Sequence, residues 1–132
     1  MLHPLTAIVL CLALALYVVV TINVGRARAR YKVEAPATTG DPAFERAFRV
    51  QQNTLESLVI FVPVLWMFSV LVSPLWGAAA GAVWILGRAL YAQAYYADAA
   101  RRGPGFIIAY AATGVLLIGA FGGAVTALLR TA

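Results

Sequence analysis

The chain has 132 residues, 63% of them hydrophobic and only 11% charged, with a formal net charge of +5. An ordinary soluble domain is roughly one quarter charged, so this composition excludes that class and points to an integral membrane protein. The lone Cys11 rules out an intrachain disulfide, and His3 has no neighbouring ligand cluster, so no metal is expected. Lipid headgroups and topology account for the positive charge without a nucleic-acid partner.

The opening stretch, MLHPLTAIVLCLALALYVVVTINVG, lacks the basic leading segment and the A-x-A-like site of a cleaved secretory signal. Its apolar run approaches the roughly 20 residues of a full bilayer span, so a retained transmembrane helix is expected at about 5–24. RARARYKVEAPATTGDPAFER follows, with most of the charge and three turn signals, Ala35-Pro36, Thr39-Gly40 and Asp41-Pro42. A long loop is expected over 26–41. Asp41 before Pro42 has the form of an N-cap and a first helical residue, so a second helix is placed at about 42–72.

From Ser57 to Gly87 the chain runs without a charge, divided only at Ser73-Pro74. Neither half reaches the roughly 20 helical residues needed to cross the hydrocarbon layer. Both helices must therefore draw on their polar flanks: Arg49, Asn53 and Glu56 in helix 2, and Arg88, Tyr91 and Tyr95 in helix 3, placed at about 75–100. After Arg102-Gly103-Pro104-Gly105 a fourth helix is expected at about 106–129. The fold class is thus all-α, a single four-span membrane domain covering 1–132. Arginines cluster at one face and Arg130 alone marks the other, so the positive-inside rule puts the long loop and the Arg101-Arg102 turn in the cytoplasm. The absence of an organelle signal and the alanine- and arginine-rich usage fit a bacterial inner membrane.

Two polar stripes meet at matching depth. Glu45, Arg49, Gln52 and Glu56 recur at helical spacing, with Asn53 flanking them and Gln51 pointing elsewhere. Arg88, Tyr91, Tyr95, Asp98 and Arg102 form a second stripe if helix 3 continues that far. Rise per residue from the shared turn predicts a Glu56–Arg88 ion pair, since an unpaired charge at membrane depth is costly. Gly77 with Gly81, and Gly119 with Gly123, already offer close-packing faces, so helix association does not require so many polar groups. The excess of arginine over carboxylate suits an anionic ligand, because the guanidinium fork matches carboxylates.

These residues resemble a known family. Arg49, Asn53 and Glu56 within ERAFRVQQNTLE, preceded by Thr38-Thr39-Gly40 and followed by Arg88, Tyr91, Gln93 and Tyr95, resemble the MAPEG family, the membrane-associated proteins of eicosanoid and glutathione metabolism. The resemblance covers nearly the whole chain. It implies a homotrimer of four-helix subunits with glutathione held between neighbours at the cytoplasmic side. Carried over by position, it implies glutathione contacts at Arg28, Arg49, Gln51, Asn53, Glu56, Arg88, Tyr91 and Tyr95. It implies a catalytic role for Arg102 in holding the thiolate, with Arg101 as the alternative one residue away. Ser57 departs from the pattern, since leukotriene C synthase has a tyrosine after the helix 2 glutamate.

The function so implied is a membrane-bound glutathione transferase, with glutathione peroxidase activity a possible addition. Glutathione would be the co-substrate, attacking lipophilic electrophiles or lipid hydroperoxides that arrive through the surrounding lipid. The alternative is a non-catalytic lipid-binding scaffold resembling the 5-lipoxygenase-activating protein, which keeps the fold but needs no thiolate-stabilising arginine. A small transporter finds little support, because the polar groups sit toward one face and no polar path reaches the Ser73 side.

Overall fold

A computed structural model describes all 132 residues. Four helices follow one another: α1 Pro4–Tyr31, α2 Pro42–Leu71, α3 Pro74–Ala97 and α4 Gly103–Thr131, with a single 3-10 turn, Ala99–Arg101, between the last two. All four are long and apolar enough to cross a membrane. Each carries proline at its first or second position, where the missing N–H is not needed and the fixed φ is already helical. Side chains complete three of the starts. His3 Nδ1 accepts from Leu5 N at 3.1 Å, Asp41 Oδ1 from Ala43 N at 2.8 Å, and Ser73 Oγ from Trp76 N at 3.2 Å.

Three boundaries differ from the sequence reading. Helix α1 runs past Gly25 to Tyr31, so Arg26, Arg28 and Arg30 are helical rather than part of a loop. Alanine and arginine are strong helix formers, and basic side chains in the last turn favour the negative end of the helix dipole. Helix α3 stops at Ala97: Asp98 is extended, with φ −161° and ψ 120°, and its carboxylate caps Ala100 N at 3.0 Å. The stripe from Arg88 to Arg102 is therefore not one helix face. Helix α4 starts at Gly103, three residues earlier than expected.

The core lies where α2 meets the other three helices. Phe61 and Leu65 of α2, Trp84 of α3 and Leu116 of α4 are each fully buried. Phe61 and Trp84 stack with ring centroids 4.1 Å apart and planes 9° from parallel. Trp84 Nε1 donates to Ser57 Oγ at 3.1 Å, so the serine serves the core rather than the polar end. A second buried polar contact joins Thr6 to Ser69 near the opposite end. Against lipid, apolar burial supplies little drive for helix association; close approach and such hydrogen bonds supply it instead. Gly77 and Gly81 admit Phe68 and Val9, and Gly119 and Gly123 admit Phe68 and Leu71. The closest backbone-to-backbone approach is elsewhere, at Gly87 and Gly105. A Cβ on Gly105 would sit 2.7 Å from the Gly87 carbonyl oxygen and against the backbone of Tyr91. Many large apolar side chains point outward, among them Ile8, Val59, Leu86 and Ile118, as a lipid-facing surface requires.

Candidate ligand site at the polar end

Trp84 bonded to Ser57 sets the register of α2 against α3, and Arg88, one turn further along, falls opposite Asn53 and Thr54. Arg88 Nη1 donates to Asn53 Oδ1 at 2.9 Å and Nη2 to Thr54 Oγ1 at 2.9 Å, while Nε has no partner. The expected Glu56–Arg88 ion pair does not form. Glu56 lies two to three positions beyond the reach of Arg88, on the exposed face of α2. Arg88 is 0% exposed, and its guanidinium carbon lies 4.1 Å from the Tyr91 ring centroid. A buried guanidinium thus rests on an amide, a hydroxyl and an aromatic face, with no carboxylate taking its bonds. Such a charge is stabilised only in part by those groups.

Beside Arg88, sharing its contact residues Asn53 and Tyr91, is a cavity of about 300 Å³ lined by Arg49, Gln52, Asn53, Glu56, Tyr91, Tyr95 and Arg102. Helix α2 supplies the first four at a spacing that puts them on one side, and α3 supplies the two tyrosines. Their rings tilt against each other with centroids 5.5 Å apart, and Phe106 of α4 braces Tyr91 at 6.2 Å. Arg102 arrives by the chain reversal after α3, not by continuation of the helix. Its Nη1 donates to Ala99 O at 2.6 Å, and its guanidinium lies 5.9 Å from the Tyr95 ring centroid. Arg101 is not among the lining residues.

Two of the residues singled out in the sequence lie elsewhere in the subunit. Arg28 donates to Ala37 O at 2.7 Å and to Val33 O at 3.5 Å, and lies over the Phe44 ring at 4.9 Å, so it ties the α1–α2 loop down. Gln51 Nε2 donates to Thr21 Oγ1 at 3.2 Å across the α1–α2 seam. Two others were not among the implied glutathione contacts. Gln52 was read in the α2 stripe with Arg49 and Glu56 and does line the cavity. Thr54 carried no such signal, because its role depends on the register with α3.

The arrangement defines a class before it defines a ligand: a four-span membrane protein with an arginine-rich polar cavity at one end of the bundle. The MAPEG family profile matches residues 6–122, and the chain belongs to that family. It is 51% identical over 90 residues to an uncharacterized protein of Synechocystis, covering 68% of this chain and 66% of that one. It is 42% identical over 93 residues to human microsomal glutathione S-transferase 2, covering 70% and 63% of the two chains. Bovine leukotriene C4 synthase is 35% identical over 72 residues, covering 54% and 48%. The matches thus span less than two thirds of these relatives' lengths.

Proposed function

We propose that the protein binds glutathione in the cavity beside Arg88 and activates it as a thiolate for attack on lipophilic electrophiles. The observation that carries this reading is the buried Arg88, whose charge is left without a carboxylate and which contacts Asn53 and Tyr91, two lining residues of a cavity that holds two more arginines. Glutathione has two carboxylates, one ammonium and one thiol. Its carboxylates suit Arg49 and the field of Arg88, and its ammonium suits the single carboxylate in the lining, Glu56. Asn53, Tyr91 and Tyr95 supply neutral hydrogen-bonding groups that fix its orientation.

A free thiol has a pKa near 8.5, so only a small fraction is ionised at neutral pH. A guanidinium beside the sulfur favours the thiolate, and we assign that role to Arg102. The thiol proton leaves to water. The sulfur lone pair then forms a bond to an electrophilic carbon, and the leaving group departs with its bonding electrons. With a lipid hydroperoxide the same thiolate would attack oxygen, giving an alcohol and a sulfenic acid that a second glutathione converts to the disulfide and water. The protein need supply no nucleophile of its own.

On the same reading the protein works as a homotrimer, with Arg28 and Gln51 of one subunit turned to the cavity of the next. This accounts for their distance from the cavity within one subunit. The polar end is assigned to the cytoplasmic face of a bacterial inner membrane. The test is conjugation of glutathione to 1-chloro-2,4-dinitrobenzene by protein reconstituted in lipid. Glutathione-dependent release of chloride that falls in Arg102→Ala supports the reading. Glutathione binding without turnover would favour the non-catalytic scaffold.

A further inference from the structure

A second cavity, of about 800 Å³, opens at the same end of the bundle and shares no lining residue with the first. It lies between α1, α2 and the end of α3, and its polar lining is Asn23, Arg26, Arg30, Tyr31, Arg46 and Tyr96. Four alanines complete the lining, which holds no carboxylate. Arg26 and Arg30 are one helical turn apart on α1 and project to the same side. Arg28, two residues from each, is rotated to the other side and is engaged with the loop. The back wall is fixed by two bonds to Tyr96: Asn23 Nδ2 donates to its hydroxyl at 3.1 Å, and Arg46 Nε donates to its carbonyl at 3.1 Å. The second bond uses Nε, not the two Nη groups, the paired donors that suit a phosphate.

Depth decides what such a site would take. The uncharged part of α1, from Pro4 to Gly25, is about 33 Å long at roughly 1.5 Å per residue, close to the thickness of the hydrocarbon layer. Arg26 therefore enters the headgroup layer, and the four residues on to Arg30 cover about 6 Å, roughly the depth of that layer. Tyr31 and Tyr96 have the amphipathic rings found at this boundary. Three guanidiniums in a cavity otherwise lined by small and aromatic residues, set at headgroup depth, match a phosphate with its glycerol backbone.

We infer that the cavity between α1, α2 and α3 is a binding site for the phosphate headgroup of an acidic phospholipid. It seats one lipid per subunit, separate from the ligand cavity beside Arg88. Arg26, Arg30 and Arg46 hold the phosphate, and the acyl chains run down the apolar surface of α1 below Asn23.

The experiment uses the full chain in phosphatidylcholine nanodiscs containing a minor fraction of phosphatidylglycerol, with retained lipid read by native mass spectrometry after extraction. Arg26→Gln with Arg30→Gln removes two exposed cations from the cavity, and circular dichroism checks that the helices remain. Lys32→Gln with Arg101→Gln removes two exposed cations from the same end but outside the cavity, as a charge-matched control. Wild type is expected to retain phosphatidylglycerol over phosphatidylcholine. The cavity variant should lose about 30-fold in apparent affinity, and the control less than about threefold. Equal losses in the two variants would reduce the effect to general surface charge and overturn the site. Displacement of the lipid by millimolar inorganic phosphate, or phosphate binding in pure phosphatidylcholine, would make a free phosphate the occupant and overturn the lipid assignment.

Discussion

Arg88 Nη1 donates to Asn53 Oδ1 at 2.9 Å, joining α3 to α2 beside the polar cavity. The bond holds a fully buried guanidinium in place through a residue that itself lines the cavity. Asn53→Ala removes the acceptor and strands a buried cationic donor, at a cost of about 1.5–3 kcal/mol for a bond to a charged group. A lowered melting temperature in detergent is expected, together with weaker glutathione binding. Unchanged stability would mean that Arg88 finds another acceptor.

The Ser57–Trp84 bond offers a contrast, because it sits in the core one turn below. Ser57→Ala should cost about 0.5–1.5 kcal/mol, with no change in glutathione affinity beyond about twofold. Thermal unfolding and a binding isotherm on the same preparation check both halves. A large loss of affinity at unchanged stability would place Ser57 in the ligand site instead.

Gly105 governs how closely α4 approaches Tyr91. An added Cβ would meet the Gly87 carbonyl oxygen at 2.7 Å, and both obstructing groups are backbone, which cannot rotate away. Gly105→Ala should destabilise the bundle by about 1–3 kcal/mol, the usual range for overpacking. It should also raise KM for glutathione through displacement of Tyr91. Wild-type melting temperature and KM would show that the helices shift apart without penalty.

Arg102 and its neighbour separate the site from the surface. Arg102 lines the cavity and Arg101 does not, yet both are exposed, so either can be replaced without unfolding the chain. Arg102→Ala should lower kcat/KM for conjugation by about 100-fold, a loss of about 2.7 kcal/mol of transition-state stabilisation. Arg101→Ala should stay within about twofold. The reverse ranking would move the thiolate to Arg101.

Four helices were legible in the sequence, because apolar runs of span length are hard to build for any other purpose, and the family was legible in the motif of Arg49, Asn53 and Glu56 followed by Arg88, Tyr91 and Tyr95. The α2 stripe was legible for the same reason: its polar groups fall inside a helix too short to span without them. Register was not. Counting rise from the Ser73-Pro74 turn put Glu56 opposite Arg88, whereas Trp84 on Ser57 brings Asn53 and Thr54 there. That register depends on which large side chains stack, and composition along one helix does not reveal it. The end of α1 was missed for a different reason. The apolar run stops at Gly25, but helix and hydrophobic span are separate properties, and the Ala-Arg alternation carries the helix on to Tyr31. The second cavity follows from that extension, since Arg26 and Arg30 share a face only when both are helical.

The measurement that bears most directly on the proposed function is an ultraviolet titration of the reconstituted protein with glutathione at neutral pH, following thiolate absorbance. The account predicts a saturable rise in thiolate for wild type, reaching near one thiolate per site, and a much smaller rise for Arg102→Ala at matched occupancy. Saturable glutathione binding with no thiolate signal in wild type would contradict it.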